Sequence, residues 1–451
     1  MKNLKDTIFN ILSKNDKRKY RFVFVGAGGI SMYSLAIFIK NLGHEVVGVD
    51  AKKSDNTDIL EQNGIKVYIG HAQKNIANFD FIVYSYAVEF GLEVQEAKRL
   101  NIPIISRAEL LGAILKLYKI SICVAGAHGK TTTTALIYHI LNTAKICCGL
   151  HLGGFLVEGD KSYSYSKGDI IVSEACEYKD AFLKFNPTIA VVLNIEPEHL
   201  DYFKTFSNVQ KSFNKFAKSA NMLICAGSLI LDNLNKITFN DGNFNADNKL
   251  LNSNGTYTFN VLKNGKLYMG VTPKLLGEHN ITNVLASIAV CDFLGVDTNT
   301  IKLALENFKG VKRRLEILHQ KNFIIHDYAH HPDEIRATLK SINNFYKGKL
   351  LVVFQPHTYT RTKLLKDEFI DCFKGQESLV IYKTYSAREK YIKDGSAKSL
   401  CKEIDGAVFI KNKKDLTNYV INKINNGYGV VFLGAGDIDK IAHEISDKLK
   451  W

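Results

Sequence analysis

Short apolar runs alternate with helical periodicity along most of the chain. RFVFVG (21–26), EVVGVD (45–50), KVYIG (66–70), FIVYSYAV (81–88) and IPIIS (102–106) are short and rich in β-branched and aromatic residues, which predicts strands. Residues 31–42 and 92–100 carry helical spacing between them. A second series opens with SICVAG (121–126), followed by a predicted helix from 130 to about 144. DIIVSEA (169–175) and IAVVLNI (189–195) are apolar almost throughout, as strands covered on both faces are. Asn264-Gly265, between YTFNVL and KLYMGV, predicts a hairpin, and HNITNVLASIAVCDFLG (279–295) a helix stopped by its glycine. After Gly310 the runs NFIIHDY, KLLVVFQPH, SLVIYKTY, AVFI and GVVFLGAG predict a third set of strands with helices between. Leu4, Ile8, Phe9, Ile11 and Leu12 predict a short helix face ahead of the first strand.

Strand–helix alternation implies parallel sheets. The pattern changes near Arg107 and Val311, so the expected organisation is α/β in three domains, 1–107, 108–311 and 312–451, each on a mainly parallel sheet. Composition narrows the class. With 451 residues, 46% of them hydrophobic, disordered and fibrous chains are excluded. No run approaches the ~18 apolar residues of a membrane span, and the basic N-terminus lacks the apolar core of a secretory signal. Eight cysteines without a C-x-x-C pair suit a reduced, cytoplasmic protein. The net charge is +14, but lysines outnumber arginines 50 to 9 and are scattered, which reads as a solvated surface rather than a nucleic-acid face. Such a field also favours anionic substrates.

The strongest chemical signal is VAGAHGKTTTT (124–134). A strand enters a glycine turn and leaves as a helix, the arrangement that cradles phosphate on backbone N–H groups at a helix start. Gly126, Ala127, His128 and Gly129 form the turn; Lys130 reaches terminal phosphates; a Thr131 or Thr132 hydroxyl can ligate Mg²⁺. The loop is shorter than G-x-x-x-x-G-K-[ST], because Val124 stands where the first glycine would be. GAGGIS (26–31) approximates G-x-G-x-x-G with Ser31 in the last place, and Asp50 ends the next strand. A nucleoside diphosphate suits it better than NAD, since the fingerprint is incomplete; a plain tight turn is the competing reading.

Glu174 ends one strand and His199 follows the next, so both can emerge beside the phosphate loop as Mg²⁺ ligands; Glu196, Glu198 and Asp201 add negative charge. His279 and Asn283 share a helix face in GEHNITN, and amide and imidazole groups suit an adenine edge. Arg313 and Arg314 can clamp phosphate or form a solvated basic turn. Asp327, Tyr328, His330 and His331 follow one strand; His357 and Arg361 follow another, and Arg361 suits a carboxylate.

Together GAGGISMYSLA, GHAQKN (70–75), GAHGKTTTT, EACEYKDAFL (174–183), NIEPEHLDYF (194–203), GEHNITN, KRRLE, DYAHHPDEI, FQPHTYTRT and GAGDI (434–438) resemble the ordered motifs of the Mur ligase family, over about 22–437. The resemblance implies a Rossmann-like UDP-binding domain, a P-loop ATPase-like central domain and a Rossmann-like C-terminal domain. It implies an ATP- and Mg²⁺-dependent ligase of peptidoglycan synthesis that joins L-alanine to the lactyl carboxylate of UDP-N-acetylmuramate through an acyl phosphate. The alternatives are the family's murein-tripeptide recycling activity and, from another class, an NAD(P)-dependent oxidoreductase. By resemblance Gly28, Gly29, Ile30, Asp50, His71 and Asn75 meet the UDP substrate. Thr131, Glu174 and His199 hold magnesium, with Asn194 nearby. His279, Asn283 and Asp327 contact adenine and ribose, Arg313 faces phosphate, and Tyr328, His330, His357 and Arg361 hold the amino acid. No nucleic-acid or membrane partner is implied, and the expected state is a monomer or weak homodimer. The sequence departs from the family's usual pattern at Ser31, at His326, where a second Asp is common, and at Thr358, where Arg is common.

Overall fold

The computed structural model describes residues 4–13, 18–166, 168–387 and 389–449. The molecule is α/β, built on three sheets. The first has five parallel strands in the order Lys66–Ile69, Glu45–Asp50, Arg21–Val25, Phe81–Tyr84 and Ile104–Ser106. The strand order reverses direction beside Arg21–Val25, so the 26–31 turn opens at the carboxyl edge where doubly wound sheets bind ligands. In the ten-stranded second sheet, Ile120–Ala125 lies between Ile170–Glu174 and Ile189–Val192, all parallel. This order sets the loops after three neighbouring strands side by side. The predicted hairpin forms between Tyr257–Lys263 and Lys266–Val271, with Asn264 and Gly265 both at positive φ (51° and 76°), as a two-residue turn requires. The third sheet runs Glu316–His319, Ile324–Asp327, Gly429–Leu433, Leu350–Phe354, Leu379–Tyr382 and Val408–Ile410; only the first is antiparallel to its neighbour.

Two compact units emerge. One runs to Asn248 and takes in Phe259–Pro273 and Ile281–Lys309; the other comprises Lys249–Thr258, Lys274–Asn280 and the chain from Gly310 onward. The first two sheets share the first unit, and one apolar cluster joins them, from Phe22 and Phe24 through Leu110, Leu111 and Ile114 to Phe182 and Phe216. The helix Leu4–Leu12 adds Ile8, Ile11 and Leu12 to that cluster. No helix among the described residues is long and apolar enough to cross a membrane.

Expected and observed elements differ where polarity misleads. FIVYSYAV stops being a strand at Tyr84, and Tyr86–Val88 forms a 3-10 turn, because the chain must bend at the sheet edge. The helix Asp55–Gln62 carries little apolar periodicity and is fixed instead by a reciprocal cap between Ser54 and Thr57. Gly112 lies where the helix Arg107–Leu115 crosses the 178–184 turn; a Cβ there would stand 2.4 Å from the Lys184 carbonyl oxygen. Backbone cannot give way cheaply, so Gly112→Ala is expected to cost about 2 kcal/mol by overpacking, read as a lowered urea midpoint at unchanged m-value.

Candidate active site

In the phosphate-type loop, Gly126 and Gly129 take φ of 147° and 83°, values that other residues rarely adopt. A Cβ on Gly129 would also come within 2.3 Å of the Asn283 amide oxygen. Asn194 brackets the turn: its Oδ1 accepts from the His128 N–H at 2.9 Å, and its Nδ2 donates to the His128 carbonyl at 3.2 Å. The Thr133 hydroxyl donates to Asn283 at 3.2 Å. Asn283, buried, is thus built into the loop's support, while His279 is exposed at the start of the same helix, His279–Phe293.

Lys130 begins the helix Lys130–Thr143 and folds its ammonium over the turn, onto the Gly126 carbonyl and onto that of Ala127 at 3.0 Å. Its ionic partner is Glu177, at 3.2 Å. Glu177 also meets His199 Nε2 at 3.5 Å, and with Glu198 these residues place three donor atoms within 4.8 Å of one another. His128 continues the cluster towards Glu196 at 3.1 Å and Glu198 at 3.7 Å. Burial opposes the Lys130 charge, but Glu177 and its acidic neighbours outweigh it and hold the ammonium above its ordinary value. Burial alone would raise the Glu177 carboxyl; Lys130 and His199 hold it below the usual carboxylate range. Burial pushes Glu198 up, against the pull of His128 and Lys130. A carboxylate–imidazole donor set beside a lysine-headed loop has the chemistry of a hard divalent cation site next to phosphate.

Of the expected metal set, His199 joins this cluster, whereas the Glu174 carboxylate accepts from the Gly153 N–H at 2.7 Å. Thr131 and Thr132 are buried in the helix's first turn. Glu177 was not among the sequence candidates. It stands three residues past the strand end, and the positive-φ pair Lys179 and Asp180 turns the chain just after it.

At the 26–31 turn, the Gly28 N–H donates to Asp50 Oδ2 at 2.8 Å, so Asp50 shapes the turn as well as bordering it. Gly29 caps the helix Ile30–Asn41 without a side-chain bond, which leaves the helix start to a ligand. His71 and Asn75 are oriented by a residue that the sequence reading did not single out. Buried Glu93 meets His71 Nδ1 at 3.1 Å, the Ala72 N–H at 2.8 Å and Asn75 Nδ2 at 3.2 Å.

The second unit holds its own group. His330 Nδ1 donates to the Tyr328 carbonyl at 3.0 Å, which leaves Nε2 as the acceptor of a neutral ring. The His330 ring lies 5.6 Å from that of His357, which stacks on Tyr385 at 5.5 Å. Arg361 donates to the His357 carbonyl at 3.0 Å. The expected amino-acid residues therefore do come together. Burial, reinforced by Arg361, holds His330 down to about 4 and lowers His357, so both rings are neutral near pH 7. Asp327 is fully engaged by its own chain, accepting from Leu315 N–H (2.7 Å), Ala329 N–H (2.8 Å) and the Thr338 hydroxyl (3.3 Å). Arg313 pairs with Asp439, and its N–H donates to Glu316 at 2.8 Å.

Comparison with known proteins agrees with this assembly. Three family models match in order: the Mur ligase family catalytic domain over 21–119, the Mur ligase middle domain over 124–291, and the Mur ligase glutamate ligase domain over 313–436. The UDP-N-acetylmuramate–L-alanine ligase of Acetivibrio thermocellus is 40% identical over 95% of this chain and 96% of its own length. That of Clostridium acetobutylicum is 37% identical over 96% and 99%. Among solved structures, the UDP-N-acetylmuramate–alanine ligase of Thermotoga maritima superposes with a TM-score of 0.83 at 27% identity, covering 96% of this chain and 99% of that one. A murein peptide ligase from Psychrobacter arcticus gives 0.71 at 23% identity, covering 95% and 98%. The chain belongs to the Mur ligase family.

Proposed function

We propose that the chain is an ATP-dependent ligase that joins L-alanine to the lactyl carboxylate of UDP-N-acetylmuramate, releasing ADP and phosphate in peptidoglycan precursor synthesis. Full-length similarity to enzymes of that name supports the reading, and the observation that carries it is the Lys130–Glu177–His199 cluster on the glycine turn. The recycling activity and the oxidoreductase are not favoured: relatives 37–40% identical over nearly the whole chain carry the L-alanine ligase name, and an oxidoreductase leaves the lysine-headed loop without a task.

A carboxylate does not acylate an amine, because oxide is too poor a leaving group. Transfer of the ATP γ-phosphoryl group to the lactyl carboxylate makes an acyl phosphate and ADP. The alanine amine then adds to the carbonyl, loses its proton and expels phosphate. Lys130 neutralises charge on the transferring group, and the turn's N–H groups fix it in line. Mg²⁺, when bound, supplies further neutralisation, with His199, Glu177 and Glu198 as the gathered donors and Thr131 and Glu174 as the donors expected from the motif. Arg313 is assigned to phosphate, His279, Asn283 and Asp327 to the adenosine, and Gly28, Gly29, Ile30, Asp50, His71 and Asn75 to the UDP moiety. Tyr328, His330, His357 and Arg361 are assigned to L-alanine. In this reading 1–107, 108–311 and 312–451 act as separate functional modules of a cytoplasmic monomer or weak homodimer.

The test is ADP release by purified protein given ATP, Mg²⁺ and UDP-N-acetylmuramate, with L-alanine, glycine, L-serine or the murein tripeptide offered separately. L-alanine is expected to give the highest kcat/KM. Preference for the tripeptide, or no ADP with any of the four, overturns the proposal.

A further inference from the structure

Ser31 occupies the last position of the G-x-G-x-x-G-like turn, where glycine allows close packing, and its hydroxyl has a defined set of partners. Arg107, the first residue of the helix Arg107–Leu115, donates from its guanidinium to Ser31 Oγ at 3.1 Å. Ser31 Oγ lies 2.7 Å from His151 Nε2, and His151 Nδ1 lies 2.9 Å from the Tyr165 hydroxyl. An arginine can only donate, so Ser31 Oγ accepts from Arg107 and keeps its own proton free for His151 Nε2, with Nδ1 facing the Tyr165 hydroxyl. The Ser34 hydroxyl donates to the Ser31 carbonyl at 3.0 Å. Burial first, and the Arg107 charge second, hold His151 down to about 3, so the imidazole beside Ser31 is neutral.

Half-buried Arg107 has no carboxylate partner among the described residues, and its charge reaches Tyr86 and Cys176. It therefore stands between the uncapped start of the helix Ile30–Asn41 and the segment that carries Glu177. A partly desolvated cation whose bonded partner among the described residues is a neutral hydroxyl is stabilised by an incoming anion. We propose that Arg107, positioned by Ser31, binds an anionic group of the nucleotide-sugar substrate, its diphosphate or its carboxylate. This rests on the ligase reading above.

Titration calorimetry on the full chain separates the sources, with UDP, UDP-N-acetylglucosamine, UDP-N-acetylmuramate and ATP as probes. Arg107→Met is expected to raise the Kd for UDP-N-acetylmuramate at least about tenfold while leaving that for ATP within about twofold. Equal weakening of all three uridine ligands assigns the diphosphate; weakening confined to the acid assigns the carboxylate. Unchanged affinity for all three in a folded variant overturns the site while leaving the ligase reading intact. Wild-type protein that binds ATP but none of the uridine ligands overturns both. Should Arg107→Met not fold, Ser31→Ala decides: about threefold weaker binding of the same ligands supports the tether, and unchanged binding overturns it.

Discussion

Lys130→Ala is expected to lower kcat by about three orders of magnitude, roughly 4 kcal/mol of transition-state stabilisation, with ADP release as the readout. Retention of the wild-type rate would refute the phosphate role. A structural explanation competes, because the same substitution strips Glu177 of its cation. With Glu177 only 2% exposed, that carboxylate would then be held chiefly by His199. The two effects separate by pH and by a second substitution. In the wild type the Glu177 carboxyl is depressed, so its contribution to stability is present above the ordinary carboxylate value of 4.5 and is lost as pH falls through the lower folded value. Without Lys130, burial dominates and the folded value rises. The variant is then destabilised at neutral pH and relieved on acidification. Adding Glu177→Gln removes the buried charge, so the double variant is expected to regain thermal stability at pH 7 and yet remain inactive, with Glu177→Gln alone as the control for loss of a magnesium donor. Recovery of both stability and turnover would mean that Lys130 serves only as a counter-ion.

The skeleton of this arrangement was legible in the sequence because strands covered on both faces are nearly pure apolar runs. SICVAG, DIIVSEA and IAVVLNI each announce a strand, and the residues at and just past their ends are readable as edge positions. Lys130, Glu174 and His199 were named on that ground. The sequence does not give the lateral order of the strands, and that order decides which ends meet. Ile120–Ala125 sits between the other two, so the turn after Glu174 folds back over Lys130 and delivers Glu177 rather than Glu174 to the ammonium. A spacing of three past a strand end carries no periodic signal. Glu93 escaped for a related reason. It lies within a mostly polar helix, Leu92–Arg99, and its burial under His71 and Asn75 is a tertiary fact. Polar strands such as Phe244–Leu251 were unreadable because pairing, not composition, makes them strands. Asp327 shows the converse limit. The motif marks it clearly, but its carboxylate accepts from the N–H groups of Leu315 and Ala329 and from the hydroxyl of Thr338 in the next helix, Pro332–Phe345.

Arg361→Ala is expected to raise the KM for L-alanine about thirtyfold while moving the KM for ATP less than about twofold, since a charge-assisted arginine–carboxylate pair supplies roughly 2 kcal/mol. Its placement supports this selectivity. The guanidinium is anchored on the His357 carbonyl within a group formed by Tyr328, His330 and His357, and both imidazoles are neutral near pH 7. Arg361 is the cation on the His357 side of that group, and Arg314 lies 5.2 Å from the Tyr328 ring. Arg361→Lys keeps the charge but loses the planar two-point geometry, so it is expected to recover only part of the loss. The pH dependence supplies an independent check. With burial holding His330 at about 4 and His357 also below 6.5, neither ring gains a proton between pH 7 and 8. The KM for L-alanine should therefore be flat across that interval, apart from titration of the amine itself, in the wild type and in Arg361→Lys alike. Equal losses for L-alanine and ATP in Arg361→Ala would place the arginine outside the amino-acid site.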